Sequence, residues 1–248
     1  MKKYFEFIIE KKTPDIDKKL IDQFGKINVY IVNGEKVRNL NKSDEEFGLS
    51  SVHACFPKLI PKNEIWIEDD VKKDEIPFLV HSALYQYKLA DDMEPWDAYR
   101  KALKYEKNLR DEKSQSDKNP DQTDKKAKDE IYVKKYCKIG DVTVWLVNAK
   151  KVRDLWKIDY MEGGHGYVYK WIPNDEIWIE DGIKKDEIPF ILLHEYVERT
   201  LMKEKKMKYD NAHNIAAKVE WKERPHGFTK EDIENLTPEK ALKMANEF

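Results

Sequence analysis

Glycine is scarce in this sequence of 248 residues, with nine in all. Neither a G-x-G-x-x-G nor a G-x-x-x-x-G-K-[ST] string occurs, so the glycine-lined loops that let phosphates approach a helix N-terminus are missing and nucleotide-binding folds are disfavoured. Cysteine is scarcer still: Cys55 and Cys137 stand alone, in neither a C-x-x-C pair nor a disulfide framework, which fits a reducing compartment and a cytoplasmic protein. Long apolar runs are also absent. Stretches such as Phe190–Leu193 fall far short of the roughly 20 residues that span a bilayer, and Glu6 interrupts the N-terminal stretch Tyr4–Ile9, so no membrane segment is expected. Finally, 46 Lys and Arg against 48 Asp and Glu leave a net charge of −2, which gives no general reason to expect nucleic acid or an anionic membrane as partner.

What is present is charge in bulk, 38% of residues, beside a hydrophobic fraction of 40% that suffices for compact cores. The chain also repeats itself. IPKNEIWIEDDVKKDEIPF from Ile60 returns as IPNDEIWIEDGIKKDEIPF from Ile172, 15 of 19 positions identical at an offset of 112. Upstream, VYIVNGEKVRNL from Val29 is echoed by VWLVNAKKVRDL from Val144, and downstream PWDAYRKA from Pro95 faces YDNAHNIA from Tyr209. A duplication of this kind sets the architecture before any other reading. Between the copies, residues 111–130 contain Ala127 as their only apolar side chain and read as a polar linker with a reach of about 25 Å if flexible. The expected organisation is a first repeat over 1–110, the linker over 111–130, a second repeat over 131–226 and a C-terminal helical tail over 227–248.

Periodicity changes in the same order within each copy. Val29–Val32, Val144–Val147 and the two EIWIE segments, Glu64–Glu68 and Glu176–Glu180, read as strands, with Trp66 and Trp178 in the core. A helix then starts near Asp186 as N-cap with Pro189 in its first turn and Phe190, Leu193, Val197 and Leu201 recurring at helical spacing, and a second follows from about Tyr209 to Trp221. Thr237 followed by Pro238 caps a last helix. The fold class expected is α+β: a tandem duplication of a small antiparallel sheet followed by two helices. The repeated EKVRN and KKVRD strings read as solvated surface rather than a nucleic-acid patch.

The chemistry concentrates in the second copy, in the helical string ILLHEYVER. His194 and Glu198, four apart, share a helix face, and a third ligand would come from His213 on the next helix, completing a His₂Glu set of the kind that binds catalytic zinc and leaves a position open for water. Glu195 would then serve as general base. Glu198 has no basic residue at i+3 or i+4, whereas Glu195 has Arg199. The HEYVE string resembles the HExxH helix of zincin-like metallopeptidases, matching it at His194 and Glu195 and carrying Glu198 in place of the second His. The resemblance implies a zinc-dependent hydrolase acting on a peptide or protein. Aligned on the repeat, Ser82, Ala83, Gln86 and Tyr99 stand opposite His194, Glu195, Glu198 and His213, so the candidate groups are missing from copy one as a set, while Glu106 and Arg110 match Glu220 and Arg224 as framework. His165, in the GGHGY cluster, reads as a turn residue, a substrate-facing group or a fourth ligand, and aligns with His53. Two alternatives stand beside the enzyme: a metal-free hydrogen-bonded network of the same side chains, and a non-enzymatic duplicated interaction module.

Overall fold

The computed structural model describes residues 15–40, 47–116 and 130–248. The N-terminal stretch Tyr4–Ile9 and most of the segment read as linker lie outside them. Each repeat opens with a hairpin, β1 (Lys19–Phe24) to β2 (Ile27–Val32) and β5 (Tyr132–Ile139) to β6 (Val142–Val147). Gly25 and Gly140 make the two turns at φ of 60° and 59° with nothing near enough to obstruct a side chain, so conformation rather than space selects glycine there. A short helix follows, α1 (Gly34–Leu40) or α4 (Ala149–Leu155), then a three-residue strand, β3 (Ser50–Val52) or β7 (Gly163–His165), and the EIWIE strand, β4 (Glu64–Glu68) or β8 (Glu176–Glu180). Two helices close each unit: α2 (Ile76–Leu89) and α3 (Pro95–Ser116), then α5 (Ile188–Glu204) and α6 (Tyr209–Glu223). A 3₁₀ turn (Arg224–His226), α7 (Lys230–Glu234) and α8 (Pro238–Ala245) end the chain.

The α+β duplication is as the sequence predicts, with one difference in the sheets. Their order is β1-β2-β4-β3 and β5-β6-β8-β7, and the central pairs β2–β4 and β6–β8 run parallel, so the sheets are mixed rather than antiparallel. The connection through α1 and β3 is long enough for β4 to return alongside β2 in the same direction. Both central strands are covered, which is why Ile65, Trp66 and Ile67 and their counterparts Ile177, Trp178 and Ile179 are all buried despite the alternating sequence pattern. The α3 helix runs on through Ser116, into the segment read as linker. In α5 the N-cap is Glu187 rather than Asp186, and it makes no side-chain cap, its carboxylate being bound by Arg224 (3.0 Å). Thr237 caps α8 as expected, accepting from the Lys240 amide. The core of the second repeat takes in Ile233, Leu236, Ala241 and Ala245 of the terminal helices.

The repeats meet through reciprocal charges. Lys72 pairs with Asp181 (2.5 Å), and its counterpart Lys184 pairs with Asp69 (2.7 Å). Arg153 of α4 binds Glu180 of its own repeat (2.9 Å) and Glu75 of the other (2.6 Å), while its counterpart Arg38 binds Glu68 and lies 3.8 Å from Glu187. Contacts in which i meets j and j meets i define a two-fold relation, here an internal one between the copies. The reading of the VR strings as solvated surface is therefore corrected. Arg153 is fully buried, and the carboxylates that make this tolerable come from both repeats, Glu180 from its own and Glu75 from the other.

Asp70 breaks the internal symmetry, since Gly182 stands at the equivalent place and an added Cβ there would meet the Asp70 carbonyl at 2.8 Å. Burial and the charges of Glu68, Glu162 and Glu180, opposed by Arg38, push the Asp70 carboxyl up to about 9. The unfolded group titrates near 3.9, so between these values the folded state holds the extra proton and stability falls as pH rises. Asp70→Asn removes that slope: urea unfolding is expected to show the variant more stable than the parent at pH 8 and little changed at pH 4.

Candidate functional site

His194, Glu195 and Glu198 project from α5 toward α6 and β7. The close packing of α5 and α6 rests on small residues: Ala212 and Ala216 are fully buried against Leu193, Val197 and Leu201. That approach brings His213 of α6 onto the His194/Glu198 face. His194 Nε2 is 3.0 Å from His213 Nδ1, His213 Nδ1 is 2.9 Å from Glu198 Oε2, and His194 Nε2 is 3.6 Å from Glu198 Oε2. These three residues, and separately His165, Glu195 and Glu198, each offer ligand atoms that lie within 4.8 Å of one another. All five candidate residues named from the sequence are therefore brought together.

The orientation of each group is held by a neighbour. The His194 Nδ1 atom is 3.0 Å from Glu220 Oε2, and Glu220 is in turn bound by Arg224 (2.7 Å), which also reaches Glu187. With Nδ1–H assigned as donor to that carboxylate, His194 turns Nε2 toward the cluster. Glu220, set aside from the sequence as framework, thus does both jobs. In repeat one the hydroxyl of Ser82 bonds Glu106 at the matching place, so the retained carboxylate hid its second role.

His165 is fully buried, its Nδ1 accepts from the Tyr167 amide (3.2 Å), and its Nε2 lies 3.0 Å from Glu198 Oε1 without a hydrogen bond's alignment. Burial holds its pKa below the ordinary histidine value, so the ring is neutral. Because Nδ1 is the acceptor, the single proton belongs on Nε2, facing the Glu198 oxygen turned away from the two other histidines. That tautomer makes His165 a positioning residue for Glu198.

Strand register corrects the pairing of His165 with His53. Gly163, Gly164 and His165 face Ile179, Trp178 and Ile177, while Ser50, Ser51 and Val52 face Ile67, Trp66 and Ile65. The structural counterpart of His165 is Val52, one residue off the sequence alignment, and it too is missing from copy one with the rest of the set. Gly163 and Gly164 are the complementary change. A Cβ on Gly163 would lie 3.0 Å from Glu195 Cγ, and one on Gly164 would lie 2.6 Å from the Tyr169 ring. Ser50 is tolerated in repeat one because Ala83 replaces Glu195. Gly164→Ala is expected to cost about 1–3 kcal/mol in chemical unfolding, since Tyr169 is itself held against Tyr160 and Trp171.

Burial alone would raise the Glu198 carboxyl, but contacts with His165, His194 and His213 more than offset this and hold it well below the usual range. Glu220 is likewise lowered against its burial by His194 and Arg224. Both are anions. Arg199, the i+4 neighbour of Glu195, donates to the Asn174 carbonyl instead, fixing the loop before β8. The cluster opens to solvent on the α6 side, where His213 keeps a quarter of its side chain exposed and Tyr209 leans over it at 5.3 Å between ring centroids. Among the described residues no helix is long and apolar enough to cross a membrane. Family models, curated proteins and solved structures contain no match to this chain, so its functional reading rests on the geometry of this cluster.

Proposed function

We propose that the second repeat is a zinc-dependent hydrolase, peptidase-like in its chemistry, and that the first is its degenerate copy. The observation that carries this reading is the spacing of three lone-pair atoms, His194 Nε2, His213 Nδ1 and Glu198 Oε2, at 2.9 to 3.6 Å from one another. Ligand atoms about 2.0–2.1 Å from one tetrahedral zinc are about 3.3 Å apart. The donor chemistry fits as well. His194 Nδ1 is committed to the Glu220 carboxylate, the arrangement by which zinc-binding histidines are oriented, and Nε2 is directed at the other two ligand atoms.

Bound zinc would polarise a substrate carbonyl and acidify water at the open position. Glu195, grouped with His165 and Glu198 beside the ligand set and packed on Gly163, takes the proton from the attacking water and returns it to the leaving group. Glu220 and His165 keep His194 and Glu198 in their orientations. Elemental analysis after purification without immobilised metal is expected to give about one zinc per chain, removable by chelator. Protein that carries no zinc and takes up none on addition overturns the reading and leaves the hydrogen-bonded network. The non-enzymatic module instead predicts that His194→Ala and His213→Ala lower stability and leave partner binding unchanged.

A further inference from the structure

A second cavity lies in the same repeat on the side of the β8 tryptophan, and its counterpart in repeat one already holds a cation. In repeat one, Tyr30 and Trp66 are register partners on β2 and β4, and the Lys18 ammonium sits 4.2 Å from the Tyr30 ring centroid and 5.5 Å from that of Trp66. Lys18 also pairs with Glu64 Oε2, the oxygen that accepts from Trp66 Nε1 at 2.7 Å. In repeat two the register partners are Trp145 and Trp178, and Trp178 Nε1 donates to Glu176 Oε2, again at 2.7 Å.

Here the lysine is replaced. The Tyr132 hydroxyl donates to Glu176 Oε2 (3.0 Å), taking the place of the ammonium on the same oxygen. The aromatic surface is enlarged at the same time. Trp156 lies 6.0 Å from Trp178 and 5.8 Å from Trp171 between ring centroids, and Tyr132 stands at 80° to Trp178. Together with Ile131 and Pro173 these rings line a cavity of about 160 Å³, and among the described residues no Lys or Arg lies over them. Trp171 Nε1, on the same wall, is buried without a hydrogen-bond partner.

From this geometry we infer that the Tyr132/Trp156/Trp171/Trp178 cavity is an aromatic cage for a trimethylammonium group. Negative ring faces attract a cation, and the best-known ligands of such cages are quaternary ammoniums. The carboxylate argues for the quaternary form over a primary amine. A primary ammonium needs acceptors, and the oxygen that Lys18 uses in repeat one, Glu64 Oε2, has its counterpart in Glu176 Oε2, which already receives Tyr132 and Trp178; a cation with no N–H makes no such demand. This site is independent of the zinc reading.

Choline is the first probe, followed by tryptophan fluorescence and calorimetry on the full chain, with 3,3-dimethylbutan-1-ol as the uncharged isostere of equal shape. Saturable choline binding is expected, about tenfold or more tighter than the isostere, and weakened to a similar extent by Trp171→Leu and Trp156→Leu. Both replacements keep the wall apolar, and an unchanged unfolding midpoint shows that the fold is retained. Free trimethyl-lysine titrated in parallel tells a peptide side chain from a small-molecule headgroup, and tighter binding of either supports the cage. Absence of saturable binding, equal binding of the isostere, or full affinity in Trp171→Leu overturns it.

Discussion

Glu195→Gln is expected to keep its zinc and lose hydrolysis of a denatured protein such as casein by a factor of about 10²–10⁴, the usual contribution of a positioned general base. The amide has nearly the shape of the carboxylate and retains its packing on Gly163, so the change removes proton affinity with little else. Glu198→Ala is the opposite case. It deletes the carboxylate that meets His165 through Oε1 and His194 and His213 through Oε2, and zinc measured per chain should fall with activity. Metal retention with rate loss in the first variant, against loss of both in the second, separates a base from a ligand. A Glu195→Gln protein with the parental rate would exclude Glu195 as the base, whatever the metal content.

Arg153→Ala is expected to destabilise the chain by about 3–5 kcal/mol, because it strands buried carboxylates of both repeats. Arg153 is fully buried and contacts Glu75 (2.6 Å), Glu180 (2.9 Å) and the Tyr160 carbonyl (2.7 Å). Glu75 is held below its ordinary pKa by Arg110 and Arg153 despite burial. A depressed folded-state pKa means that its stabilisation is present above the unfolded value and lost as pH falls through the folded one. The Arg153 contribution should therefore shrink on acidification. Lys72→Ala gives the contrast. Its pair with Asp181 is the reciprocal contact but leaves Lys72 a third exposed, so the cost should stay within about 1 kcal/mol. Urea unfolding of both variants measures the difference, and equal costs would deny that burial governs these pairs.

Much of the candidate site was legible because helix geometry is local. His194 and Glu198 are four apart on any helix, and the repeat set them apart from Ser82 and Gln86. His165 was misjudged for a reason that is also local: sequence identity aligned it with His53, and only strand pairing with Ile177 placed it opposite Val52. Glu220 was read as framework because its counterpart Glu106 persists where the site is lost. The same carboxylate serves a serine in one copy and a histidine in the other.

By itself the sequence determined the duplication, the two central strands of each copy and the helices that follow them, including the one carrying His194, Glu195 and Glu198, since all of these follow from identity and period along one stretch of chain; the edge strands and the helices Gly34–Leu40 and Ala149–Leu155 did not. Tertiary structure alone decided three things: that the central strands run parallel, that Arg153 is buried and Arg38 half-buried between the copies, and that His165 and Glu220 orient the cluster. Each depends on residues far apart in sequence, whose charges are tolerated only because distant partners arrive. The balanced surplus of charge that composition reports is, at these positions, the interior of the protein.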